Sequence, residues 1–94
     1  MIKRLISEKT IKDESAQFFI LKYYLTEKPS LEYEHKMLYG VSVEKNDLDH
    51  TLLCNESISI SYKVEEVIDL IQTLANYDVT PVSTVYVVND LMYS

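Results

Sequence analysis

At Ser61 the hydrophobic period of this chain changes from two residues to between three and four, so the first part is patterned for a sheet and the second for helices. Upstream of the change, Tyr33, His35, Met37, Tyr39, Val41 and Val43 fall on one side of an alternating segment, with Glu34, Lys36, Gly40 and Ser42 on the other and Leu38 as the single exception. Period two of this length predicts a strand with one face in the core. Before it, Phe18 to Leu25 is apolar on both faces and rich in aromatics, as expected of a central strand. The short link Glu27-Lys28-Pro29-Ser30-Leu31-Glu32 makes the two strands an antiparallel hairpin. A further strand is expected over Ile2–Ile11, ended by Lys12-Asp13-Glu14-Ser15. After the turn residues around Lys45-Asn46-Asp47, residues 51–60 predict one irregular strand or two short ones, bulged near Asn55-Glu56.

Downstream of the change, Val64, Val67, Ile68, Ile71, Leu74 and Ala75 recur at helical spacing, and Glu65, Glu66, Asp69, Gln72 and Thr73 occupy the other side. Ser61 is the expected N-cap, with Glu65 and Glu66 near the positive end of the helix dipole. Asn76-Tyr77-Asp78 closes this helix, and Thr80-Pro81 opens another with Pro at its first position. The second helix is apolar almost all round. Val82, Val85, Tyr86, Val88 and Met92 make one broad side, Val87 and Leu91 lie beyond it, and Ser83 with Asp90 forms the polar ridge. A helix of this kind needs cover on more than one side, from its own chain or another. The expected architecture is therefore α+β: one domain over residues 1–94, mostly β over 1–60 and helical over 61–94. An antiparallel meander of about four strands carries two C-terminal helices on one face.

The function classes that composition excludes are broad. The apolar share of 47% and charged share of 26%, with one Gly and two Pro, describe an ordered globular chain. No apolar run reaches the ~18 residues of a membrane span, and Met1-Ile2-Lys3-Arg4 leads into polar residues, so a cytoplasmic protein with no membrane contact is expected. Cys54 is the only cysteine, which removes an internal disulfide and a thiolate zinc site and points to a small packed side chain. Residues 1–47 balance eight Lys/Arg against eight Asp/Glu, whereas residues 48–94 set Lys63 alone against Asp49, Glu56, Glu65, Glu66, Asp69, Asp78 and Asp90. An acidic half of this kind repels a phosphate backbone, so no direct nucleic-acid binding is expected.

Catalytic patterns are equally sparse. Gly40, the only glycine, lies in a strand pattern, so no glycine-rich phosphate loop exists. Asp47-Leu48-Asp49-His50 reads as a solvated turn rather than a metal site, and His35, beside Tyr33 and Met37 on the apolar side of its strand, reads as a core or interface histidine. No catalytic residue, metal or cofactor is expected. Eight tyrosines in so short a chain suit strands, and for Tyr86 and Tyr93, on the over-apolar helix, they suit an interface.

Three segments carry a resemblance. Ile2-Lys3-Arg4-Leu5-Ile6-Ser7-Glu8-Lys9-Thr10, Tyr39-Gly40-Val41-Ser42-Val43-Glu44-Lys45, and Val79-Thr80-Pro81-Val82 with Tyr86-Val87-Val88-Asn89-Asp90-Leu91 together resemble a family of small uncharacterised proteins, a domain of unknown function, of clostridial-type bacteria. The resemblance implies a bacterial, cytoplasmic protein and brings no catalytic residue with it.

The functional expectation from the residues is a non-catalytic interaction or regulatory module that self-associates as a dimer through Tyr86, Val87, Leu91 and Tyr93. Its acidic helix face, Glu65, Glu66 and Asp69, is the candidate docking surface for a basic protein partner. The alternatives are an accessory regulator of a DNA-acting enzyme, in a mobile element or developmental switch, that works through protein contacts, and a small-molecule-binding domain with a pocket between sheet and helices.

Overall fold

A computed structural model describes residues 1–93. Strands β1 (Ile2–Lys12), β2 (Phe18–Pro29), β3 (Met37–Asn46) and β4 (Leu52–Ser61) form an antiparallel meander in the order β1-β2-β3-β4, followed by helix α1 (Val64–Asn76), a 3-10 turn (Pro81–Ser83) and helix α2 (Thr84–Tyr93). The α+β architecture is the one the change of period predicts.

Period two decides which face each strand residue serves. Phe19, Leu21, Tyr23 and Leu25 of β2 and Val41 and Val43 of β3 point to the helices, where Val67, Leu70, Ile71, Leu74, Ala75, Val79 and Val88 complete the core. Among the described residues no helix lies on the opposite face. It is closed instead by side chains laid across it: Lys3 binds Glu44 at 2.5 Å and lies 4.4 Å from the Tyr24 ring centroid, and Ser57 Oγ donates to Ser42 Oγ at 3.0 Å. Under this cover Ile20, Thr26, Ser42 and Asn46 are buried on a face open to solvent, because long neighbours shield the central strands.

Gly40 marks a tight place in that sheet. The β3–β4 register shifts between Tyr39 and Gly40, bringing β4 so close that a Cβ at Gly40 would stand 2.9 Å from Ser59 Cα and nearer still to the Ile58 carbonyl oxygen. Close approach of another backbone is one of the standard reasons for glycine within a strand.

The turns use polar side chains in place of glycine. Asp13 Oδ1 accepts from the amides of Ser15 and Gln17, and Asp47 Oδ1 accepts from those of Asp49 and Thr51. In each case the residue three places on, Ala16 or His50, takes a positive φ of 63° or 64°. Two hairpin loops of unrelated sequence are thus the same structure, a turn followed by one left-handed residue. The longer β2–β3 loop follows a similar plan, with Ser30 Oγ accepting from Glu32 and Tyr33 amides and His35 at φ 66°.

The structure departs from the sequence pattern at several places. The strand begins at Met37 rather than Tyr33: Tyr33 and His35 lie in the loop and both are exposed, since the alternation of residues 33–36 belongs to a turn anchored by Ser30. The register shifts of β4 fall opposite Tyr39/Gly40 and Lys45/Asn46, not at Asn55-Glu56. Lys63 rather than Ser61 is the N-cap of α1. Ser61 accepts the Lys63 amide at 3.1 Å and donates to Glu66 at 3.0 Å, so it braces the helix entrance from outside. Thr80-Pro81 opens a 3-10 turn before α2, and Val82, expected on the core side, is 78% exposed because the tighter turn rotates it outward.

The connection between the helices is fixed from three directions. Asp78 adopts φ 53°, with Asp78 N–H donating to Ala75 O and Val79 N–H to Leu74 O, a Schellman closure with aspartate where glycine is usual. Lys9 Nζ reaches from β1 to donate to Ala75 O at 2.8 Å and pairs with Asp78, which accounts for a carboxylate at that place. From below, the Tyr23 hydroxyl, fully buried, donates to Val79 O at 2.9 Å. Burial, reinforced by the negative charge of Asp78, pushes the Tyr23 phenol well above the usual tyrosine value.

A phenol whose pKa is raised by folding keeps its proton more tightly in the folded state. Its contribution is therefore complete below the unfolded value of about 10 and is lost as pH rises above it. Tyr23→Phe is expected to lose about 1–2 kcal/mol near neutral pH by stranding the Val79 carbonyl. The variant should also lose stability less steeply above pH ~10 than the wild type, as measured by urea unfolding across that range.

Candidate functional site

Helix α2 lies over the β4 side of the sheet, against α1. Thr84 and Val88 are its buried residues and Val87 packs partly against the core, so one turn of the helix is held. Leu91 follows on the same side, one turn beyond Val87, yet it is 48% exposed, and Val85 and Met92 flank the stripe half covered. The last turn of α2 thus carries an inward-directed apolar stripe with little beneath it. Tyr86 and Tyr93 lie on the outer side at 75% and 79% exposure, beside Asn89 and Asp90. Of the four self-association residues read from sequence, Leu91, Tyr86 and Tyr93 are solvent-accessible, and Val87 is divided between core and surface. The sequence pattern puts Val82, Val85, Tyr86, Val88 and Met92 on the core side, whereas in the structure that side is formed by Thr84, Val87 and Val88 and continued by Leu91, with Val85 and Met92 at its flank.

The acidic residues of α1 occupy its solvent side. Glu65, Glu66 and Asp69 are exposed, and Glu66 is engaged by Ser61 and by Lys63 at 3.8 Å, so that among the described residues Glu65 and Asp69 are the carboxylates of that face with no side-chain partner.

One cluster not singled out from sequence lies at the corner where the β2–β3 loop meets the β4–α1 junction. Tyr33 and Tyr62 stack edge to face at 5.5 Å, Lys36 Nζ stands 5.3 and 5.9 Å from their centroids, and Tyr62 OH lies 3.1 Å from Ser30 Oγ. Tyr62 separates two grooves. One, of about 340 Å³, is lined by Lys28, Ser30, Leu31, Leu38 and Tyr62, and the other, of about 440 Å³, by His35, Lys36, Met37, Tyr39 and Lys63 with Tyr62. Loop closure brings Tyr33 to Tyr62 across 29 positions of sequence, and no periodicity signals such a meeting. Neither groove sets a nucleophile against a base, and among the described residues no three His, Cys, Asp or Glu side chains gather around a point where a metal would sit. Cys54, on β4 across from Lys45, is half-buried. No helix among the described residues is long and apolar enough to cross a membrane.

A four-stranded antiparallel meander with two C-terminal helices on one face defines a small α+β domain whose distinctive surface is an incompletely covered terminal helix. The chain belongs to the family described as Family of unknown function (DUF6514), which matches residues 2–94. Comparison with curated proteins and with solved structures finds no significant match.

Proposed function

We propose that this protein is a non-catalytic interaction module of the bacterial cytoplasm that acts by self-association as a dimer. The observation that carries this reading is Leu91: it lies on the core-directed side of α2 but remains half exposed, next to the partly covered Val85 and Met92. Apolar side chains arranged along one side of a helix gain about 25 cal/mol for each Å² removed from water, and a second copy is the surface always present to remove it. The exposed tyrosines Tyr86 and Tyr93 suit the rim of such a contact, and Glu65 and Asp69 remain free for a basic protein partner. In this role the fold serves as a rigid support and binding is the whole activity.

The test is Leu91→Glu combined with Met92→Glu. Because both side chains are already substantially exposed, the monomer should keep its circular dichroism and thermal midpoint. Sedimentation equilibrium should show self-association weakened by at least about tenfold, the equivalent of 1.4 kcal/mol. A wild-type chain that remains a monomer throughout the concentration series, or a double variant with unchanged mass, defeats the reading.

A further inference from the structure

The two edges of the sheet differ in a way that bears on how copies meet. Edge strand β1 carries Lys3, Arg4, Glu8, Lys9 and Lys12 and a register shift between Leu5 and Ser7, the charges and irregularity that keep an edge from pairing. Edge strand β4 has the sequence LLCNESISIS, with Glu56 as its one charge and no proline. Its irregularities fall toward its ends, leaving Cys54 to Ile58 in unbroken register with β3. The Ile58 carbonyl is turned toward β3, lying against Gly40, so alternation turns the main-chain groups of Asn55, Ser57 and Ser59 outward. Among the described residues the Ser57 amide is met on that side only by the carboxylate of its own neighbour, Glu56 Oε1 at 3.2 Å. Among the described residues no strand pairs with this edge.

We infer that β4 is the dimer edge: the β4 strands of two copies pair antiparallel about a two-fold axis and continue the sheet from four strands to eight. This rests on the self-association proposed above and specifies its geometry. A second strand satisfies every outward main-chain group of an edge at once, and antiparallel pairing of identical edges is self-complementary. An axis perpendicular to the sheet keeps the helices of both copies on one face. Helix α2 lies on that face at the β4 side, so the same operation brings the two α2 helices, with their undercovered apolar side chains, near each other. Strand pairing alone buries less than the ~1,200 Å² of a stable interface, and the α2 side chains supply the apolar remainder.

Charge and strand length select the register. Placing Glu56 on the axis sets two carboxylates directly opposite, which is unfavourable. Placing Ser57 there pairs Ser57 with its own image, Asn55 with Ser59 and Glu56 with Ile58, and engages residues 53–61 of each copy, nearly all of β4. Glu56 then releases the Ser57 amide to the partner's carbonyl.

Two variants and one exchange measurement test this. Ser57→Pro removes an outward N–H that β3 does not use, an edge position at which proline is tolerated. The pair Asn55→Lys with Ser59→Lys changes two exposed side chains and places ammonium groups opposite one another across the axis. Both are expected to abolish the dimer in sedimentation equilibrium while circular dichroism remains that of the wild type. In wild-type protein the amides of Asn55, Ser57 and Ser59 should exchange with deuterium at least about tenfold more slowly when the protein is concentrated enough to dimerise, because only pairing protects them. A wild-type dimer that survives both variants with those amides unprotected overturns the edge assignment and leaves self-association through α2 standing. A wild-type monomer overturns both, and protection that appears only with a different protein overturns the choice of a second copy.

Discussion

Replacing Gly40 with alanine is expected to destabilise the fold by about 3 kcal/mol or more, a large effect for a single methyl group. The added Cβ would meet backbone on β4, the Ile58 carbonyl and the Ser59 Cα, and no rotamer change relieves contact with main chain. Relief requires β4 to move away from β3, which gives up hydrogen bonds along a ten-residue strand and shifts Ile58 and Ile60 from their places against the core. Urea unfolding should show a lowered midpoint. Backbone amide exchange should increase first in β4, while the β1–β2 pairing, remote from the clash, stays protected. A Gly40→Ala protein with wild-type midpoint would mean that β4 does not approach as closely as described.

Ile71→Ala is the second large expectation, at about 2–5 kcal/mol. Ile71 is fully buried in the middle of α1, and α1 is the element that touches all four strands. Truncation leaves a cavity between helix and sheet that the packed Leu21, Tyr23 and Val43 cannot collapse into without moving the strands. Val82→Ala provides the contrast, since Val82 projects into solvent from the 3-10 turn and should change stability by less than about 0.5 kcal/mol. Ile71 and Val82 are both β-branched apolar residues of neighbouring segments, yet the expected costs differ several-fold because only Ile71 is enclosed.

The outline of this fold was legible because its two periods are clean. Val64, Val67, Ile71 and Leu74 keep helical spacing without interruption, and the double-faced apolar run of β2 marks the centre of the sheet as surely as its neighbours mark a meander. What was not legible depends on contacts distant in sequence. The 33–36 segment alternates like a strand, but Ser30 captures the Glu32 and Tyr33 amides and diverts it into a loop, a local competition that periodicity does not register. The 3-10 start at Pro81 moves Val82 out by a fraction of a turn, and without Val82 on the core side the inward face of α2 centres on Thr84, Val87 and Val88. The surplus of apolar surface on the last helix was readable from composition. Its placement at Leu91 and the flanks of the stripe was not, because it depends on how far along α2 the packing of the core extends.

The Tyr33–Tyr62–Lys36 corner illustrates the same limit at a candidate site. Its members come from a loop and a strand-to-helix junction, and each has an ordinary explanation when viewed alone. The outward main-chain groups of β4 belong to the same category, since an unpaired edge is a property of sheet order rather than of any residue.

The chain has one glycine and places it between strands, leaving Ala16, His35, His50 and Asp78 to hold the left-handed corners that glycine would occupy with less strain. Each of these corners therefore stores a little conformational energy. On warming, the ribbon should loosen from its bends inward, and the central strands should be the last to let go.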